Sequence, residues 1–464
     1  MIHLTNEQNN IVYSESSNVF VRANAGTGKT TTLIAFSEIR KGETFLYLVY
    51  NAENREQAKN KFPHYVKIHT IHSLAREHVG YKYNHKIYNN IEVDSILREY
   101  NYFKDTEPDG DAAYRFAYQI ATNINAFCNS DKENMEDICE LSNILFYMRD
   151  YWNKMTDIDN ENIFITHEVY LKLFQLSKPV LDFSYIMVDE AQDSNEAMLD
   201  IVFNQVAKKI FVGDPSQKIY GFRGALNVFG ADKYLDRISD KSFFTLSNSF
   251  RFGQSIADVA NSILSKFGKN LVPVVGHPDQ ESYVTTVDKS IQYTTIFRTN
   301  AALLEFAIEK AREGRKLHII GGIDAMYSKI LDIDHLYHNR KDLIKNDYIR
   351  TLKNYNHFKS VADTLKKPDY VLLVYLFNKY ENNLMAYVDT IKSKLVGKKE
   401  ANVILTTAHK SKGLEFMNVL IYNDFVELSN YNFEYGEEEI NLLYVAVTRA
   451  VYELELNNDL KKIM

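Results

Sequence analysis

Residues 18–50 read NVFVRANAGTGKTTTLIAFSEIRKGETFLYLVY, and their order decides the fold. An apolar, strand-like stretch (NVFVRA) runs into a glycine-rich turn. A helical segment (TTTLIAFSEIR) and a second apolar stretch (TFLYLVY) follow. Strand, loop, helix, strand is the repeating unit of a parallel α/β sheet. The turn itself is ANAGTGKT, Ala23 to Thr30, and it fits a phosphate-binding loop except that Ala23 stands where the pattern has its first glycine. Gly26 and Gly28 let backbone N–H groups turn toward phosphate oxygens, Lys29 reaches the β/γ-phosphates, and Thr30 can ligate Mg²⁺. Ala25, Thr27 and Thr31 complete the expected nucleotide cradle. Its position after an apolar strand and before a helix separates this loop from an ordinary glycine turn.

A phosphate loop needs acidic partners, and YIMVDEAQDS, residues 185–194, supplies them. A nucleotide hydrolase requires an apolar strand ending in an acidic pair opposite the loop. Asp189 would hold Mg²⁺ through water, and Glu190 would orient and deprotonate the attacking water. Such a pair alone is weak, since many strands end in solvated acids; with the loop upstream it is strong. Gln192 is a further uncharged polar group in reach of nucleotide or of VGDPSQKIYGFRGA, residues 212–225. That segment joins Asp214 and Gln217, suited to sensing charge, to Tyr220, Phe222 and Arg223, aromatics beside a cation as in a base-stacking surface.

At 464 residues the chain exceeds one ordinary core, so two or more domains are expected. Hydrophobic residues at 45% and charged residues at 25% are those of a folded globular protein. No apolar run reaches the length of a membrane span, and MIHLTNEQNN lacks the plan of a signal peptide. A cytoplasmic protein, or a nuclear one in a eukaryote, is therefore expected. A net charge of −7 argues against a generally basic nucleic-acid coat but leaves room for a narrow basic channel, because field and contact are local. Cys128 and Cys139 lack zinc-like spacing and read as core thiols in a reducing compartment. From about Leu74 to Val180 the text is mostly helical, with an acidic break at DTEPDGD (105–111). Strands return at FSYIMVDE, KKIFVGD and SFFTLS. A second α/β set (YTTIFRT, KLHIIGG, ANVILTTAH, MNVLIYND) encloses another helical stretch, rich in Lys and Tyr. The expected fold class is α/β, with two parallel-sheet cores that each carry a mainly helical insertion.

DEAQD, VGDPSQKIYGFRGA, LSNSFR, IFRTN, TTAHKSKGLEF and NLLYVAVTRA occur in the order found in UvrD-like superfamily 1 helicases, and the chain resembles that family over nearly its whole length. THEVYLKLFQLSKP, FRFGQSIA and HIIGGI are similar to the helicase portion of the F-box DNA helicase branch. The phosphate loop begins at Ala23, so no F-box region and no ubiquitin-ligase role are expected. The resemblance implies two RecA-like domains with ATP in the cleft between them and single-stranded DNA across their top. It assigns 1–75 and 182–248 to domain 1A, 76–181 to helical insertion 1B, 249–330 and 398–464 to domain 2A, and 331–397 to a small helical insertion 2B. Carried over by motif, Gln8 reads the adenine edge and Phe250, where relatives commonly have Tyr, stacks on the adenine ring. Gln217 senses the γ-phosphate, Arg251 and Arg449 reach it from the second domain, and Glu415, with Gly413, contacts the ribose. A planar guanidinium suits charge growing on phosphoryl oxygens.

On the DNA side, the resemblance implies Tyr50, Asn51, Thr70 and His72 in the first domain and Arg298, Thr407 and His409 in the second. Phe222, where UvrD has Trp, is the implied stacking platform, with Tyr220 and Arg223 beside it. Relatives often have Lys where Ala52 stands, so one phosphate contact is missing. By residue type alone Phe222 reads equally as core and His72 as a satisfied buried histidine. Three readings follow. The first is an ATP- and Mg²⁺-dependent 3′→5′ single-strand translocase and helicase. The second is a translocase that strips proteins from single strands with little unwinding, consistent with insertions that are short beside those of UvrD. The third is an ATP-gated effector whose turnover needs a partner or loader protein. No metal-nuclease cluster accompanies the motifs, and no nuclease activity is expected.

Overall fold

The computed structural model describes residues 3–49, 51–100, 111–221, 224–266, 272–427 and 436–463. Three residues with expected roles, Tyr50, Phe222 and Arg223, lie outside these, as does nearly all of DTEPDGD. The chain divides into two compact units, Met1–Asn248 and Ser249–Met464.

The strands of the first unit are β1 (Asn18–Ala23), β2 (Phe45–Val49), β3 (Val66–Thr70), β4 (Ile87–Tyr88), β5 (Ile165–Thr166), β6 (Tyr185–Val188), β7 (Lys208–Gly213) and β8 (Lys241–Leu246). Six of them form one sheet in the order β3-β2-β6-β7-β1-β8, with every pairing parallel. All residues of β2 and β6 are buried, as a parallel sheet covered on both faces demands. Phe20 on β1 stacks between Phe211 and Phe243 of its two neighbours at 5.0 and 5.2 Å. Parallel strands send all their C-terminal loops to one edge, which is where open α/β sheets bind ligands. That edge receives the phosphate loop after β1, Asn51 after β2, His72 after β3, Asp189 and Glu190 after β6, and Asp214 to Tyr220 after β7.

Between β3 and β6 the helices Ile71–His78, Val93–Glu99, Asp111–Asn129, Ser142–Thr156 and His167–Leu176 occur with β4 and β5, a short parallel pair. Two lysines buried there are satisfied by backbone carbonyls: Lys86 by Asp157 and Asn160, Lys172 by Ser130 and Lys132. Burial pushes Lys172 down to about 8. Cys128 and Cys139 are buried free thiols, and burial raises Cys128.

The second unit repeats the plan with β9 (Tyr283–Val284), β10 (Tyr293–Phe297), β11 (Leu317–Ile319), β12 (Val403–Thr407), β13 (Phe416–Ile421) and β14 (Ala450–Glu455). Its parallel sheet has the order β11-β12-β10-β13-β14-β9. Helices Asp324–Tyr337, Asp347–Thr351, Tyr355–Leu365, Pro368–Tyr380 and Leu384–Ser393 fill the stretch between β11 and β12. The RecA-like α/β expectation holds in both units. β3, β4, β5, β9 and β14 are not among the strands expected from the sequence; β4 and β5 are two-residue strands within the stretch that reads as helical, and β9 is equally short. In β3 (VKIHT) and β14 (AVYELE), Lys67, Glu453 and Glu455 break the continuous apolar run that marks the other strands, leaving only a short alternation. No helix among the described residues is long and apolar enough to cross a membrane.

Candidate functional site

The first unit's site grows from the ends of five strands, β1, β2, β3, β6 and β7. After β1, Gly26 and Gly28 adopt φ of 75° and 76°, a region L-residues avoid, and the chain enters helix Lys29–Glu38 directly. Thr27 Oγ1 donates to the Asn24 carbonyl at 2.9 Å and closes the loop. Lys29 Nζ lies 4.0 Å from Glu190 Oε1 across the loop. Glu190 has φ 50° and ψ 44°, a left-handed conformation rare for a side chain of its size, and its N–H is held by Asp189 Oδ1 at 2.9 Å. Strained backbone of this kind collects at functional sites.

Asp189 is oriented by a residue the sequence did not flag. Tyr47 on β2 donates its hydroxyl to Asp189 Oδ2 at 2.5 Å, across the pairing of β2 with β6. Burial, with the Glu190 carboxylate beside it, pushes Asp189 up to about 6; the Tyr47 hydroxyl and Lys29 oppose that rise. Tyr47 itself is raised well above its ordinary value, by burial first and by Asp189 second, and it also meets Thr30. Thr30 and Asp189 therefore face one region through a shared tyrosine. One hydroxyl and one carboxylate suit Mg²⁺, which takes few protein ligands and completes its shell with water and substrate phosphates.

The segment after β7 is tied back to this pair. Gln217 Nε2 donates to Asp214 Oδ2 at 2.8 Å, and both side chains are buried. Gln192 is completely buried, so it reaches the Asp214 segment but not solvent. Gln8 is buried as well, with its amide oxygen on the Thr5 N–H at 3.0 Å and its amide nitrogen on Thr32 Oγ1 at 3.2 Å.

A cavity of about 740 Å³ opens beside the carboxylates. Asp189 and Glu190 share its wall with Asn51, His72 and Tyr220, and with Asn89, Asn125 and Asn129 from the helical stretch. His72 packs edge-on to His167 and Tyr170, ring centres 6.4 and 6.5 Å away. Three residues expected on the DNA side are helix N-caps. Asn51 accepts from the Asn54 N–H at 2.8 Å, Thr70 from Ser73 at 3.0 Å, and Thr407 from Lys410 at 3.4 Å. Each cap aims a helix N-terminus, with its unsatisfied N–H groups, past the end of a strand.

In the second unit Arg251 Nε meets Glu415 Oε2 at 3.1 Å, and its Nη1 donates to the Thr448 carbonyl at 2.9 Å. Arg449 is 1% exposed, with hydrogen bonds to the carbonyls of Val445 and Leu414 and to Thr448 Oγ1. Arg251, Glu415 and Arg449 thus form one cluster, with Gly413 (φ 81°) two residues before Glu415. Phe250 is 46% exposed beside His277. Arg298 stands apart from this cluster, in a two-pronged ion pair with Glu439, a partner that the sequence reading missed. The hydrogen bonds to Glu439 raise Arg298 further above its ordinary value. His409 is half-buried in helix Ala408–Ser411, after the Thr407 cap.

Residues 49–230 match the model of the UvrD/REP helicase N-terminal domain. The chain is 32% identical to F-box DNA helicase 1 of Gallus gallus over 519 aligned positions, covering all of this chain and 50% of that protein. It is 29% identical to F-box DNA helicase protein 1 of Schizosaccharomyces pombe, covering 99% of this chain and 58% of that protein. DNA helicase II of Haemophilus influenzae is 25% identical over 58% of this chain and 42% of its own length. The chain therefore spans little more than half the length of the first two relatives. Residues 49–230 carry the UvrD-like helicase N-terminal domain, and the chain as a whole is similar to the F-box DNA helicases.

Proposed function

We propose that the chain is an ATP-driven motor that moves 3′→5′ along single-stranded DNA and separates duplex ahead of it. The observation that carries this reading is the cavity of about 740 Å³ whose wall holds Asp189 and Glu190 together with Asn51, His72 and Tyr220. Hydrolysis and strand contact then share one surface. ATP would lie on Gly26, Gly28 and Lys29, with its phosphates at the N-terminus of helix Lys29–Glu38. Thr30 and Asp189 would hold Mg²⁺, which neutralises charge on the phosphoryl oxygens. Glu190 would accept the proton of the attacking water, and the family resemblance assigns neutralisation of the phosphoryl charge to Arg251 and Arg449.

The helix N-termini capped by Asn51, Thr70 and Thr407 suit the phosphates of a strand, which fix register without reading sequence. Division into 1A, 1B, 2A and 2B at the boundaries given above belongs to the same proposal, as does a nuclear location in a eukaryotic cell. The test is translocation on single strands labelled at either end, followed by unwinding of duplexes with a 3′ or a 5′ overhang. Arrival at 5′ ends and unwinding from 3′ overhangs are expected. Motion toward 3′ ends would overturn the polarity. Directed motion that clears bound protein but opens no duplex would favour the stripping translocase instead.

A further inference from the structure

Gln192 occupies a position between two loops that the hydrolytic roles above leave unexplained. We infer that Gln192 is a positioning residue, which fixes the Glu190 carboxylate and couples it mechanically to the segment carrying Gln217. The inference rests on the ATP-hydrolysing reading of the site. The Gln192 amide nitrogen donates to Glu190 Oε2 at 2.7 Å and lies 3.4 Å from Asp193 Oδ2. Its amide oxygen accepts the Asp214 backbone N–H at 3.0 Å. Asp214 in turn accepts Ser216 N–H at 3.0 Å and Gln217 Nε2 at 2.8 Å. One buried side chain thus spans the loops that follow the adjacent strands β6 and β7.

The neighbouring glycine shows that this seat is built for the amide. A Cβ on Gly213 would stand 2.2 Å from Gln192 Oε1, far inside contact distance. Only a residue without a side chain lets Gln192 lie flat against the end of β7. Glu190, in its left-handed conformation, is thus held by the Gln192 amide on one carboxylate oxygen, while Lys29 stands 4.0 Å from the other. A shift of the Asp214–Gln217 segment therefore moves the amide, and the amide moves the carboxylate that activates water.

Two variants test this in the full-length chain. Gln192→Met keeps the shape and removes the bonds to Glu190 and to the Asp214 N–H together with the longer contact to Asp193. Gly213→Ala leaves Gln192 in place chemically and pushes its flexible amide end aside. Each should lower DNA-stimulated kcat by about ten-fold or more, less than the roughly hundred-fold or greater effect of losing a general base outright, because the carboxylate is displaced and not removed. KM for ATP should stay near wild type while the thermal midpoint falls by only a few degrees, about what one unsatisfied buried donor costs, a split that loss of folding would not give. Wild-type kcat in Gln192→Met, in a protein whose wild type is DNA-stimulated, would overturn the inference alone. A wild type with no ATP hydrolysis at all would overturn it together with the reading on which it rests. Should Gln192→Met fail to fold, Gly213→Ala decides: kcat lost at constant KM supports the coupling, and unchanged kcat refutes it.

Discussion

Tyr47 shows how a single hydroxyl can set the working range of the candidate site. It stabilises the ionised form of Asp189, the form a divalent cation needs, against the burial that pushes this carboxyl up to about 6. Removing the hydroxyl leaves burial unopposed by that bond, so Tyr47→Phe should raise the Asp189 value further. At pH 8 the carboxyl is ionised either way, and turnover should match wild type within about two-fold. Near pH 6.5 the variant should need more Mg²⁺, by about 1.5- to 3-fold, as the ionised fraction of Asp189 falls. Mg²⁺ titrations of ATPase rate at the two pH values check this, and equal Mg²⁺ demand at both would contradict it. Lys29, Asp189, Glu190 and Gln217 could be picked out in the sequence because their spacing around glycines and strand ends is itself the signal. Tyr47 could not, because in TFLYLVY a tyrosine looks like one more apolar strand residue. Its partner appears only once the register of β2 against β6 is known.

At the scale of elements, strand ends and helix starts do most of the positioning. The first sheet presents its phosphate-loop and acidic residues from loops on its C-terminal edge, whereas the second divides them: Arg298 and Thr407 lie at the C-terminal ends of β10 and β12, and Glu415 and Arg449 immediately precede β13 and β14. Asn51, Thr70 and Thr407 cap helices at C-terminal strand ends. The apolar runs of β1, β2, β6 and β7 made the first sheet readable, whereas the charged residues within β3 and β14 concealed those strands. The pair between Arg298 after β10 and Glu439 in helix Gly436–Val447 was equally hidden, because an acidic run such as GEEE reads as a solvated helix start. The pair leads to a prediction at this scale. If Arg298 serves a DNA phosphate, Glu439 competes with that phosphate for the guanidinium. Glu439→Gln should then tighten single-strand binding and steepen its salt dependence by about 0.7 in the log–log slope, one phosphate's worth. Fluorescence anisotropy across a salt series measures this. An unchanged slope would make the ion pair a tie between elements only.

At the scale of the whole molecule, the chain is two parallel-sheet units with the family's motifs distributed over both: Lys29, Glu190 and Gln217 in Met1–Asn248, Arg251, Glu415 and Arg449 in Ser249–Met464. The division into two α/β cores was legible because each core announces itself with its own set of apolar runs. The pairing of Arg251 with Glu415, and the burial of Arg449, were not, since neither sequence neighbourhood indicates which carbonyls or carboxylates will surround a guanidinium. The proposed function requires that ATP hydrolysis become efficient only when a strand is bound. The most direct measurement is steady-state ATP hydrolysis by the purified chain, with and without single-stranded DNA, beside Glu190→Gln. Strong stimulation by the strand, abolished in the variant, is the predicted result. A rate indifferent to DNA, or one that survives loss of the Glu190 carboxylate, would contradict it.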